Sequence, residues 1–87
     1  MEQNLSLYRI FFEVAQTGNI SRAAKNLYIS QPAISKAVSK LEDSLNTTLF
    51  TRNSRGVQLT EEGQILFAHT SAAFEELNLG ERELKRI

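Results

Sequence analysis

From Leu5 to Leu45 the apolar residues recur at helical spacing in three short blocks, and from Thr47 to Thr60 that period is lost. Such a switch admits few folds: three packed helices followed by a small piece of β structure. In LSLYRIFFEVAQTG, residues Tyr8, Phe11, Phe12 and Ala15 follow the i, i+3, i+4, i+7 pattern, widened by Leu7 and Val14, and Gly18 ends the block. In the second block Ile20, Ala23, Ala24 and Leu27 repeat the spacing, with Ser21 expected as the N-cap and two alanines that let a neighbouring helix approach closely. The third starts at Ser30 as N-cap with Pro32 in the first turn, where a missing N–H costs nothing. Its Ile34, Ala37, Val38, Leu41 and Leu45 share one arc, and Pro32, Ser35, Lys36, Ser39 and Lys40 share the opposite one. Asn46, tolerant of a left-handed helix end, closes it. Two β-prone runs, around Leu49 to Arg52 and Val57 to Leu59, are joined by the turn formers Asn53, Ser54 and Gly56, which predicts a hairpin.

Thr60 is a natural N-cap for a last helix, and Glu61 and Glu62 favour its first turn through the helix dipole. Continued to Ile87 it would run about 28 residues and about 42 Å, too long for one small core. With 87 residues and 41% hydrophobic content, the chain supports a single such core. Leu66, Thr70, Ala73, Leu77, Gly80, Leu84 and Ile87 alternate four and three apart, the seam of a helix pair, although Gly80 could equally mark a hinge. Without cysteine there is no disulfide framework, thiolate nucleophile or cysteine zinc site. Absence of a long apolar run and of a signal-peptide pattern reads as a cytoplasmic chain with no membrane partner. The lone His69 lacks the companions of a metal ligand or catalytic base. No catalytic or metal residues are assigned, and the chain is not expected to be an enzyme.

Net charge is zero, but its distribution is not even. Between Ile20 and Gly56 six basic residues (Arg22, Lys25, Lys36, Lys40, Arg52, Arg55) stand against two acids, Glu42 and Asp43. From Glu61 onward six acids face three bases. Only the middle of the chain suits an anionic partner.

Three helices followed by a hairpin is the order of a winged helix-turn-helix, with Tyr28 to Ser30 as its tight turn. The outward face of the third helix is built from small hydrogen-bonding side chains and a cation near its start, where a recognition helix meets base edges. Gln31 and Ser35 can donate and accept, Lys36 can reach guanine acceptors, and Pro32 can touch a thymine methyl. Arg52 and Arg55 bracket the hairpin tip, from which a wing reaches backbone or minor groove. Ser21 and Arg22 open the second helix, where a phosphate can be held. Ser30 and Lys40 complete the expected phosphate contacts.

The run GNISRAAKNLYISQPAISKAVSKLEDSLNTTLFTRNSRGVQLTEEG resembles the N-terminal domain of LysR-type transcriptional regulators. The resemblance lies in the Ala-Ala pair, the Ser-Gln-Pro-Ala start of the third helix, Leu-Glu, Leu-Phe, Arg and Leu-Thr-x-x-Gly, without a gap over roughly residues 5 to 66. It implies a major-groove helix carrying Ser30, Gln31, Pro32, Ser35 and Lys36, wing arginines at Arg52 and Arg55, and a dimerising linker helix. Asn46 stands where family members usually have Gly, and Lys36 where Arg is common, which favours a point-charge contact over a bidentate one.

The mainly α fold is therefore expected to comprise a winged helix-turn-helix over residues 1–60 and a linker helix over 61–87, pairing through Leu66, Ala73, Leu77 and Leu84. The expected partner is double-stranded DNA carrying a pseudo-palindromic operator, bound by a homodimer in the bacterial nucleoid. The resemblance further implies an effector-binding domain beyond Ile87, a small-molecule effector for it, and a tetramer when full length. No cofactor is expected within residues 1–87. Two other classes make different predictions. An interaction module built on a degenerate helix-turn-helix would dimerise without duplex affinity, and an enzyme would need a pocket of paired titratable groups.

Overall fold

The computed structural model describes residues 4–87. Its elements are α1 (Leu5–Thr17), α2 (Ile20–Leu27), α3 (Gln31–Leu45), β1 (Phe50–Asn53), β2 (Gly56–Leu59) and α4 (Glu61–Leu84). This is the mainly α winged helix-turn-helix that the sequence predicts.

Each helix boundary has a local cause. Asn4 caps α1 by accepting from the Ser6 N–H at 3.1 Å, and Gly18 ends it at φ 65°. The cap of α2 is Asn19, not Ser21: the Asn19 carboxamide accepts from the Arg22 N–H at 2.9 Å. The Asn19 N–H donates in turn to Thr17 Oγ1 at 3.3 Å, which pins the backbone there and starts the helix two residues before the sequence reading places its first residue. Ser21 thus lies inside the first turn. Ser30 caps α3 by accepting from the Ala33 N–H at 3.2 Å, and Asn46 ends it at φ 52°, both as expected. Thr60 accepts from the Gly63 N–H at 2.9 Å and opens α4.

The hairpin is antiparallel, with Phe50 opposite Leu59, Thr51 opposite Gln58, Arg52 opposite Val57 and Asn53 opposite Gly56. Leu49 lies just ahead of β1 and Asn53 inside it, because the turn needs only Ser54 and Arg55, steadied by the Arg55 N–H donating to Asn53 Oδ1 at 2.8 Å. Two glycines let the hairpin lie close to the helices. Gly56 has φ 125°, and a Cβ there would meet the Gly18 carbonyl oxygen at 2.5 Å. A Cβ on Gly63 would collide with the Leu49 carbonyl. The Val57 N–H donates to the Gly18 carbonyl at 3.1 Å, fastening the wing to the end of α1.

The core joins Phe11 and Val14 of α1, Ala23 and Ala24 of α2, Ile34, Val38 and Leu41 of α3, and Leu49 and Phe50. Phe11 and Phe50 rings pack 5.4 Å apart at 48°. At the junction of α3 and β1 the Glu42 carboxylate accepts from the Leu49 and Phe50 N–H groups at 2.7 and 3.2 Å, so this acid is a structural clasp.

The last helix differs from expectation in extent. It runs 24 residues, straight through Gly80, and ends at Leu84 with Lys85 as cap rather than reaching Ile87. Phe12 holds its first half, stacked on Phe67 and edge-on to Phe74 with both centroids at 5.4 Å. The Arg9 guanidinium lies 4.0 Å from the centre of the Phe74 ring. Thr70 is buried and its hydroxyl donates to the Leu66 carbonyl at 2.8 Å. Leu66 packs against the core, so these two seam residues serve the chain's own interior. Leu77 and Leu84 remain 51% and 69% exposed. The molecule is elongated, 47 × 28 × 21 Å.

Candidate nucleic-acid interface

The buried arc of α3 consists of Ile34, Ala37, Val38 and Leu41, which turns Gln31, Pro32, Lys36, Ser39 and Lys40 into solvent. Ser35 lies at the edge of that face, half-buried, and the Arg52 guanidinium of β1 donates to its hydroxyl at 3.4 Å. The wing and the helix face are thereby in direct contact. Arg55 is exposed at the tip, and a depression lined by Asn19, Ile20, Arg52, Asn53, Ser54 and Arg55 separates the wing from the start of α2.

At the turn between α2 and α3, a second groove is lined by Ser21, Lys25, Tyr28, Ser30 and Gln31. It brings Ser21, Ser30 and Gln31 together. The Ser30 oxygen is engaged as a cap, but its hydroxyl proton is still available to a ligand. Arg22 and Lys40 are exposed and line neither depression. Two residues of this groove, Lys25 and Tyr28, lie outside the predicted set. For Lys25 the signal was its charge, as one of the six basic residues between Ile20 and Gly56, and for Tyr28 it was position alone, beside the turn that precedes Ser-Gln-Pro.

The electrostatics follow from where the acids go. Glu42 is turned into the Leu49 and Phe50 amides, Asp43 lines the far end of α3 with Asn46 and Thr47, and Glu13 accepts from the Asn26 carboxamide at 2.9 Å. The exposed face from Gln31 to Lys40 therefore carries positive charge without a competing carboxylate. Among the described residues no group of three or more His, Cys, Asp or Glu side chains could hold a metal ion.

Residues 5–64 match the family of bacterial regulatory helix-turn-helix proteins of the lysR type. The chain belongs to the LysR family. It is 43% identical over 93% of its length to the uncharacterized HTH-type transcriptional regulator y4mQ of Sinorhizobium fredii, covering 27% of that protein. To the HTH-type transcriptional regulator CysB of Burkholderia cenocepacia it is 42% identical over 97% of this chain and 26% of the relative. The chain thus spans about a quarter of the length of these LysR-type relatives. Among solved structures, the BenM DNA-binding domain in complex with catB site 1 DNA superposes with a TM-score of 0.87 at 28% identity, covering 97% of this chain and 94% of that one. CbnR, a LysR family transcriptional regulator, superposes with a TM-score of 0.84 at 29% identity, covering 95% of this chain and 29% of that one. No helix among the described residues is long and apolar enough to cross a membrane.

Proposed function

We propose that this LysR-family module binds specific double-stranded DNA as a homodimer, each protomer placing α3 in a major groove and its wing at the adjacent minor groove. The observation that carries this reading is the Arg52 to Ser35 contact, which puts a wing guanidinium beside the acid-free face of α3. Gln31, Ser35 and Lys36 then specify bases, Pro32 offers apolar contact, and Ser21, Arg22, Ser30 and Lys40 hold phosphates. Arg52 and Arg55 reach the backbone or the narrow groove. The solved complex of the BenM DNA-binding domain with DNA, so similar in fold, supports the assignment.

Pairing is assigned to α4 within residues 61–87. Leu77 and Leu84 are exposed large apolar side chains on the second half of the helix, with the exposed Ala73 on the same seam. Leu66 lies at the lower end of the groove that also contains Ala73 and Leu77, and contributes there with the part of its surface the core leaves free. In the intact protein we assign a further domain, with a small-molecule effector, to the length that the relatives have and this chain does not span. The setting is the bacterial cytoplasm, on the nucleoid, with assembly to a tetramer in the intact protein.

The test is duplex binding by residues 1–87 across a salt series, with DNA upstream of the chain's own gene against a shuffled control. Tighter binding to the upstream duplex is expected, falling about a thousandfold between about 50 and 200 mM salt. Binding to neither duplex would overturn the reading in favour of a protein-interaction module.

A further inference from the structure

Three helices here end on a left-handed residue: Gly18 at φ 65°, Asn46 at φ 52° and Tyr28 at φ 59°. Glycine adopts that conformation freely and asparagine tolerates it. Tyrosine adopts it only at a cost, because its Cβ crowds the following carbonyl and its side chain makes no local hydrogen bond to offset that. Packing offers no compensation, since Tyr28 is 93% exposed. The turn itself needs only backbone, closed by the Tyr28 N–H donating to the Lys25 carbonyl at 3.3 Å and the Ile29 N–H to the Ala24 carbonyl at 3.1 Å. Asparagine at position 28 would make the same turn with less strain. A strained, solvent-facing aromatic points to a contact outside the chain.

Its surroundings indicate the chemistry of that contact. Tyr28 shares the groove beside the start of α3 with the Lys25 ammonium and with the hydroxyls of Ser21 and Ser30. All four side chains carry hydrogen-bond donors, and no acid among the described residues lines the groove. A phenol O–H and an ammonium suit a phosphate oxygen, and tyrosine is among the side chains that hold DNA backbones.

We propose that Tyr28, with Lys25 beside it, forms an additional phosphate contact for the DNA backbone at the groove between α2 and α3, so that the turn of the motif itself anchors the duplex. This rests on the DNA-binding reading above. The contact fixes position and not sequence, so its loss falls equally on the operator and on unrelated duplex. It also separates the two donors. Removing a neutral phenol releases no counterion and leaves the salt slope unchanged, whereas removing Lys25 lowers the slope by about one.

The experiment is anisotropy titration of the 87-residue chain with upstream and shuffled duplexes over a salt series, together with thermal melts. Tyr28→Phe is expected to bind both duplexes about tenfold more weakly, in the range of a hydrogen bond to a charged group, with the melting temperature and salt slope of the unsubstituted chain. Tyr28→Asn is expected to melt a few degrees higher yet bind more weakly, opposite signs that a purely structural tyrosine does not produce. The proposal is overturned if Tyr28→Phe binds both duplexes as tightly as the unsubstituted chain, or loses affinity for the upstream duplex alone, which would make Tyr28 a base reader. Failure of the unsubstituted chain to bind either duplex would remove the DNA-binding reading first and this contact with it.

Discussion

The Arg52 guanidinium donates to the Ser35 hydroxyl at 3.4 Å, joining the wing to the outward face of α3 across 17 residues of sequence. The contact is long and exposed, so its own contribution to stability is small. Its consequence is positional: the cation on the wing and the hydroxyl on the helix meet one duplex as a unit. Arg52→Ala should weaken binding to operator and random duplex alike, by about tenfold, and lower the salt slope by about one. Titration at four or five salt concentrations reads both quantities, and an unchanged slope would remove Arg52 from the phosphate contacts.

Gln31 stands exposed at the first position of α3, with a carboxamide able to pair with the edge of an adenine. Gln31→Ala is expected to cost about 1–3 kcal/mol on the preferred site and little on random duplex. Comparing the two affinities checks it, and an equal loss on both would assign Gln31 to the backbone.

The Glu42 carboxylate accepts two backbone N–H groups, from Leu49 and Phe50, where α3 hands over to the hairpin. Glu42→Ala leaves both donors without that acceptor at a partly buried site, which should cost about 2 kcal/mol and lower the melting temperature by about 10 °C. Glu42→Gln keeps an acceptor oxygen and should lose less. Thermal unfolding by circular dichroism ranks the two, and the ranking fails if alanine and glutamine melt together.

Gly56 combines φ 125° with a Cβ position 2.5 Å from the Gly18 carbonyl oxygen. Gly56→Ala must displace either the wing or the end of α1, and about 2–3 kcal/mol of lost stability is expected. By contrast, a Cβ on Gly80 would meet nothing within 4 Å, so Gly80→Ala should stabilise α4 by up to about 1 kcal/mol. Denaturant melts of the two variants should move in opposite directions.

Leu77 is 51% exposed in the groove that it lines with Leu66 and Ala73. Leu77→Glu should therefore leave the fold of a protomer intact while setting two carboxylates against each other in a pair. Sedimentation is expected to show a monomer at concentrations where the unsubstituted chain is a dimer, with a native circular dichroism spectrum. A dimer that persists would place the pairing surface elsewhere.

What the sequence determined by itself was local. Gly18, Ser30, Asn46 and Thr60 act as caps because the relevant hydrogen bonds and backbone angles lie within a few residues, and the hairpin follows from a change of period and a run of turn formers. The acid-free outward face of α3 was equally legible, because helical spacing decides which side chains share a side. Tertiary structure decided whatever depends on distant partners. Ser21 and Asn19 are both good caps by residue type, and the Thr17 hydroxyl at the preceding turn selects Asn19. The seam of α4 read four and three apart, but Phe67 and Phe74 set its buried side because Phe12 of α1 supplies the rings they pack on. Glu42 became a clasp and Ser35 a neighbour of Arg52 only once the hairpin folded back on α3. Periodicity tells which side of a helix is apolar, whereas which side chain meets which is settled by packing between elements far apart in the chain.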